Sequence, residues 1–142
     1  MVFIQSMSNF LLTGGTGFLG KNLVNYLNNR GDTVHSFHSN FFDLANYDGK
    51  SEIKSCNVFD SGIKYDYIIH GAAVQAAGDW PLKHKAEQYD LNLRIHANTL
   101  KLWHKFQPQA KMIGIGSSCS YPGVKEVLKE IFFGCFFVLY IF

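Results

Sequence analysis

Residues Phe10 to Gly20 read F-L-L-T-G-G-T-G-F-L-G. An apolar run, Phe10-Leu11-Leu12, leads into glycines at Gly14, Gly17 and Gly20. Glycines spaced in this way between a strand and a helix form a dinucleotide-binding turn, and each has its own task. Gly14 makes the tight turn out of the strand. Gly17 lets the backbone approach a pyrophosphate that a Cβ would push away. Gly20 lets the following helix pack closely. That helix offers free N–H groups and the positive end of its dipole to an anion.

The flanks agree with this reading. Gly20 to Asn29 places Leu23, Val24 and Leu27 on one helical face, and Phe18 and Leu19 are expected to extend it backwards by a turn. Arg30-Gly31-Asp32 should stop the helix, with Gly31 as a left-handed cap. Thr33 to Phe37 is the expected second strand. Strand, glycine turn, helix and strand then make one βαβ unit.

Gly15 to Lys21 also fits the first seven positions of a P-loop, G-x-x-x-x-G-K. The eighth position should be Ser or Thr, whose hydroxyl binds magnesium. Here it is Asn22, and no apolar strand ends in a suitable metal-binding Asp. A P-loop nucleotide-binding protein therefore stands as the lesser alternative.

At 142 residues the chain is one domain or part of one. A hydrophobic fraction of 47% suits a buried core, and a net charge of +2 without a basic run argues against nucleic acid. Cys56, Cys119 and Cys135 have neither metal-ligand nor disulfide spacing, so no metal site is expected. Residues 1–8 read as an N-terminal extension. No signal peptide precedes the first strand, and the default location is cytoplasmic.

The α/β alternation continues. Lys64 to His70 is an expected buried strand, followed by the small residues Gly71-Ala72-Ala73, which let the backbone run beneath a flat ligand. Glu87 to Phe106 is an expected amphipathic helix with Leu91, Ile95, Leu102 and Phe106 on one face, closed by Pro108. Lys111 to Gly116 is the next strand, apolar rather than alternating, as a parallel strand covered on both faces should be. Ser117-Ser118-Cys119 stands at its carboxyl end, the edge where open α/β sheets bind ligands.

Together these pieces resemble the extended short-chain dehydrogenase/reductase family of NAD(P)-dependent sugar-nucleotide epimerases, dehydratases and reductases. The carrying residues are T-G-G-T-G-F-L-G at Thr13 to Gly20, Asp60 after Cys56-Asn57-Val58-Phe59, Y-D-Y-I-I-H-G-A-A at Tyr65 to Ala73, Asn92, and G-S-S-C-S-Y-P at Gly116 to Pro122. The match spans residues 9–123, and its S-S-C-x-Y-P form looks most like the GDP-fucose synthase branch. The resemblance implies a Rossmann-like, doubly wound parallel sheet, truncated after about the fifth strand.

It also implies roles. Gly14, Gly17 and Gly20 would hold the pyrophosphate, with Phe18 and Leu19 in the same cofactor-binding turn. Asp60 would accept a hydrogen bond from the adenine amine, with Val58 or Phe59 beside the ring. Ala72, Ala73 and Asn92 would complete the cofactor site. Ser117 would polarise the substrate oxygen, and Cys119 falls at an acid–base position, although it also reads as a small buried hydrophobe. His70 belongs to a structural H-x-A-A pattern. The end of the second strand, Phe37-His38-Ser39-Asn40, carries no acid for a ribose 2′-hydroxyl. His38 and Ser39 could contact a 2′-phosphate, so the cofactor is NAD or NADP, with NADP mildly favoured. The implied partners are this dinucleotide, a nucleotide sugar in the full-length parent and a second copy in a homodimer.

One part of the pattern is missing. The family's chemistry uses a Tyr-x-x-x-Lys pair on a helix, the lysine lowering the tyrosine pKa. Tyr121-Pro122-Gly123-Val124-Lys125 fits the letters, but Pro122 and Gly123 make it a turn. Residues 124–142 form an atypical tail. Ile131 to Phe142 is uncharged, too short to span a bilayer as a helix, and aggregation-prone if exposed. A frameshift or truncation accounts for it best, a membrane-associating tail less well. The expectation is a cofactor-binding region inactive by itself, or alternatively a non-catalytic NAD(P)-binding module.

Overall fold

The structure is a computed structural model and describes residues 7–47, 58–75 and 78–115. In chain order these form β1 (Asn9–Thr13), α1 (Phe18–Asn29), β2 (Thr33–Phe37), a 3-10 turn (Val58–Asp60), β3 (Tyr67–His70), α2 (Trp80–Lys83), α3 (Lys85–Phe106) and β4 (Lys111–Gly114). The four described strands are all parallel, in the order β2-β1-β3-β4. The chain runs from β1 to β2 on one side, then crosses to β3 on the other. That reversal beside β1 is the topological switch point, where α/β sheets bind ligands at their carboxyl edge.

Alternate side chains of each strand enter different cores. Leu11, Ile68 and Met112 face the α3 side, where they meet Ile95 and Leu102. Phe10, Leu12 and Ile69 face the α1 side, where Leu23, Val24 and Leu27 cover them. A sheet covered on both faces needs apolar residues at successive strand positions, which is why β1 reads as a continuous run.

α1 ends as its sequence predicts. Gly31 has φ +93°, its N–H donates to the Asn28 carbonyl, and Asp32 N–H donates to the Leu27 carbonyl, a Schellman arrangement. Its start differs from expectation. The helix begins at Phe18, and Phe18 and Leu19 are 90% and 54% exposed instead of extending the apolar face. Gly20 takes the inward position of this turn, against Gly14 and Gly15, and its two predecessors point outward.

β3 is shorter than Lys64 to His70. Its lead-in is held by polar side chains instead: Asn9 N–H donates to Asp66 Oδ2 at 2.8 Å, and Tyr65 N–H donates to Gln107 Oε1 at 3.2 Å. Such bonds compete with ladder pairing. α3 starts two residues earlier than expected and ends at Phe106, before Pro108. The short α2 was not expected.

Candidate functional site

β1 and β3 are stitched together at their carboxyl ends by Thr13, which is fully buried. Its carbonyl accepts from Gly71 N–H at 3.1 Å, and its Oγ1 accepts from Ala72 N–H at 3.1 Å and is hydrogen-bonded to His70 Nδ1 at 2.8 Å. Burial, and secondarily the nearby His96, push His70 down to about 4, so the ring is neutral near pH 7. His70 is a structural residue, in agreement with the sequence reading.

The glycine turn fits against this seam. Gly14 has φ +76°, and a Cβ there would stand 2.6 Å from the Gly71 carbonyl oxygen and 2.7 Å from Ala72 N. A Cβ on Gly15 would collide with Ser36 at the end of β2. Gly20 has no room because it lies on Gly14 and Gly15. Gly17 is different. Its ordinary backbone (φ −74°, ψ 175°) and open surroundings leave a Cβ there only one near neighbour, the Gly14 carbonyl oxygen at 3.4 Å. No fold contact therefore demands a glycine at position 17.

Gly17 is the N-cap of α1. No side chain caps this end, and no acidic residue stands in its first turn. A helix start leaves its first N–H groups without intrahelical acceptors. These opening N–H groups, with the positive helix end, suit an anion.

Beside it lies a cleft of about 430 Å³, within the usual range for small-molecule sites. Gly14, Thr16 and Gly17 form its floor. Gly71, Ala72, Ala73 and Val74 form one wall. Phe37, Ser39 and the strap Phe42–Asn46 form the other, and Leu91 and Ile95 of α3 close the back. The expected residues Gly14, Gly17, Ala72 and Ala73 are thus brought together.

Others of the expected set are not on the cleft. Gly20 is beneath the turn, and Phe18 and Leu19 are on the outer surface beside it. His38 stands outside and its Nδ1 accepts from Asn40 N–H at 3.1 Å, while its neighbour Ser39 lines the wall. Phe59 is fully buried against Phe37 and Phe42. Val58 packs on the same core, and Asp60 is exposed in the 3-10 turn, away from the cleft lining. Asn92 meets the backbone of Val74. Its Oδ1 accepts from Val74 N–H and its Nδ2 donates to the Val74 carbonyl, so it holds the wall in place. Ser117, Cys119, Tyr121, Lys125 and the tail 124–142 lie outside the described residues.

The strap Phe42–Asn46 went unnoticed in the sequence. Phe42, Leu44 and Ala45 are buried, while Asp43 and Asn46 face outward. An acid between apolar neighbours just after β2 was the available signal. Asn22, the odd residue of the P-loop reading, donates from Nδ2 to the Phe18 carbonyl at 2.8 Å.

Fold and cleft define a Rossmann-like dinucleotide-binding protein. The sequence profile of the NAD dependent epimerase/dehydratase family matches residues 10–132, and the chain belongs to that family. This sets the P-loop alternative aside and agrees with the expected NAD(P) cofactor. No curated protein sequence matches the chain.

Solved structures show the same fold. A GDP-6-OMe-4-keto-L-xylo-heptose reductase of Campylobacter jejuni is 23% identical with a TM-score of 0.69, over 91% of this chain and 35% of its own. A GDP-mannoheptose C4 reductase of the same organism, with NADP bound, has the same identity and TM-score over 91% of this chain and 39% of its own. A GDP-L-fucose synthetase of Naegleria fowleri is 22% identical with a TM-score of 0.63, over 90% of this chain and 36% of its own. The chain therefore spans little more than a third of the length of these structures. Among the described residues no helix is long and apolar enough to cross a membrane.

Proposed function

We propose that this chain binds NADP, in preference to NAD, in the cleft between Ala72–Val74 and Phe42–Asn46. We also propose that it forms the cofactor-binding part of a reductase or epimerase acting on a nucleotide sugar. The observation that carries the reading is Gly17. It caps α1, faces the cleft, and is a glycine where the fold would accept a side chain. Space kept free at an uncapped helix start is space for a pyrophosphate.

When bound, the cofactor supplies or takes up hydride. The chain's own residues orient it. The α1 N–H groups face the phosphates, Ala72 and Ala73 leave room for a flat group, and Ser39 offers a hydroxyl to a 2′-phosphate. β2 ends without an acid to repel that phosphate, which favours NADP. NADP stands in the C. jejuni GDP-mannoheptose C4 reductase, which has this fold. Ser117 is assigned to the substrate oxygen, and Cys119 to acid–base exchange, from their places in G-S-S-C-S-Y-P.

A second reading, a binding module without turnover, is favoured by one feature. The only Tyr-x-x-x-Lys in the sequence is Tyr121 to Lys125, which contains Pro122 and Gly123. Titrating the full chain with NADPH, NADH and Mg-ATP, followed by turnover assays with nucleotide sugars, tests both. Saturable NADPH binding, tighter than NADH and unaffected by Mg-ATP, is expected. NADPH binding without turnover selects the module, and binding of Mg-ATP alone defeats both readings.

A further inference from the structure

The glycine turn and the Ala72 wall of the cleft both hang on one buried side chain. Thr13 directly precedes Gly14 and is fully buried. Its carbonyl accepts from Gly71 N–H, and its Oγ1 accepts from Ala72 N–H. At Gly14 the turn comes so close that a Cβ would stand 2.7 Å from Ala72 N. The spacing of turn and wall therefore depends on how Thr13 Oγ1 is oriented.

That orientation depends on where one proton sits. A threonine hydroxyl has one proton to donate and two lone pairs to accept with. Among the described residues Oγ1 has two partners, Ala72 N–H at 3.1 Å and His70 Nδ1 at 2.8 Å. The amide can only donate, so it takes one lone pair. If Nδ1 carried a proton, it would donate as well, and the hydroxyl proton would be left buried without an acceptor, at a desolvation cost. If Nδ1 is bare, it takes the hydroxyl proton and every group is paired. The second arrangement puts the imidazole proton on Nε2.

The surroundings oppose a second proton on the ring. From α3 the His96 ring faces it, with the centroids 5.4 Å apart. From β4 the uncharged Ile115 N–H donates to the His70 carbonyl at 3.2 Å. Burial and His96 both disfavour the charged ring.

We propose that His70 is a positioning residue for the cofactor cleft: with its proton on Nε2, its Nδ1 takes the Thr13 hydroxyl proton, turns Oγ1 toward Ala72 N–H and so fixes the wall against the glycine turn. His70 acts through Thr13 rather than on the cofactor itself. This rests on the cofactor reading above.

NADPH affinity of the full chain, read by nicotinamide fluorescence, tests the proposal together with the ring 15N shifts of His70. His70→Leu removes the acceptor and is expected to weaken NADPH at least about 10-fold. His70→Asn returns an acceptor oxygen near the place of Nδ1 and is expected to recover most of that loss. Thr13→Val should weaken binding to a similar degree. Adding His70→Leu to it should cost nothing more, because His70 acts through Thr13. Additive losses would overturn the inference, as would equally weakened Asn and Leu variants, since either would make His70 a packing residue only. The 15N shifts of the unaltered chain near neutral pH need no variant. A proton on Nε2 is expected, and a proton on Nδ1 would overturn the inference even if the variants failed to fold. Absence of NADPH binding by the unaltered chain would overturn the cofactor reading and this inference together, whereas binding that His70→Leu leaves intact would overturn this inference alone.

Discussion

The side chain of Asn92 closes on both polar groups of the Val74 backbone. Its Oδ1 accepts from the N–H at 2.7 Å, and its Nδ2 donates to the carbonyl at 3.0 Å. Gln88, one turn earlier on α3, donates to the same carbonyl at 3.2 Å. Further along, Asn98 Nδ2 donates to the carbonyls of both Leu44 and Tyr47. Both walls of the cleft are therefore tethered by side chains of one helix, and the cleft's width depends on α3 staying docked.

Asn92→Ala removes both bonds and leaves the half-buried polar groups of Val74 less satisfied. A loss of about 1 to 3 kcal/mol in urea unfolding is expected, together with weaker NADPH binding as the wall relaxes. Affinity and stability should fall together. A large loss of affinity at unchanged stability would mean instead that Asn92 touches the cofactor directly.

Gly14 and Gly31 both have positive φ, but their surroundings differ. At Gly31 a Cβ meets nothing within 4 Å. Gly31→Ala should cost only the left-handed backbone penalty, about 1 kcal/mol. At Gly14 the same penalty is joined by collision with the backbone of Gly71 and Ala72. Gly14→Ala should cost about 3 kcal/mol or more, and it should disturb the β1–β3 seam. Thermal unfolding of the two variants side by side checks the difference, and equal losses would contradict the close approach.

His70 makes stability depend on pH. Its pKa in the folded chain is about 4, lowered by burial and then by His96, against 6.5 in an unfolded chain. Between these values the unfolded chain binds a proton that the folded chain refuses. Stability is complete above pH 6.5 and falls as pH drops toward 4, by roughly 3 kcal/mol at most from this group. His96, also lowered by burial, adds in the same direction. Urea unfolding at pH 7.5 and 5 should show the fall, and His70→Asn should flatten it. A slope unchanged in His70→Asn would place the effect elsewhere.

What the sequence revealed of this architecture follows from the range of the forces involved. Leu23, Val24 and Leu27 announce a buried helix face because the 3.6-residue period is local. The apolar run of β1 announces a strand covered on both faces for the same reason. The hold of Asn92 on Val74 was not legible, because it is a contact between residues distant in sequence. Asn98 meets Leu44 across 54 positions, and Gln107 meets Phe59 across 48. Phe59, beside Asp60, is spent on the core. Phe18 and Leu19 leave the apolar face that the period predicts, because close backbone packing at Gly20 turns the neighbouring side chains outward.

Gly17 separates folding from function in one position. Its backbone is extended and its would-be Cβ has one neighbour, Gly14 O at 3.4 Å. Gly17→Ala and Gly17→Val should therefore change stability by less than about 1 kcal/mol. A side chain there would occupy the place of the pyrophosphate at the start of α1. NADPH affinity should fall at least about 30-fold, which corresponds to about 2 kcal/mol, and further for valine than for alanine. Fluorescence titration beside a thermal melt measures both quantities on the same sample. An intact melt with lost binding is the expected pair of results. Intact binding in Gly17→Val would remove the pyrophosphate from this turn, and with it the dinucleotide reading of the cleft.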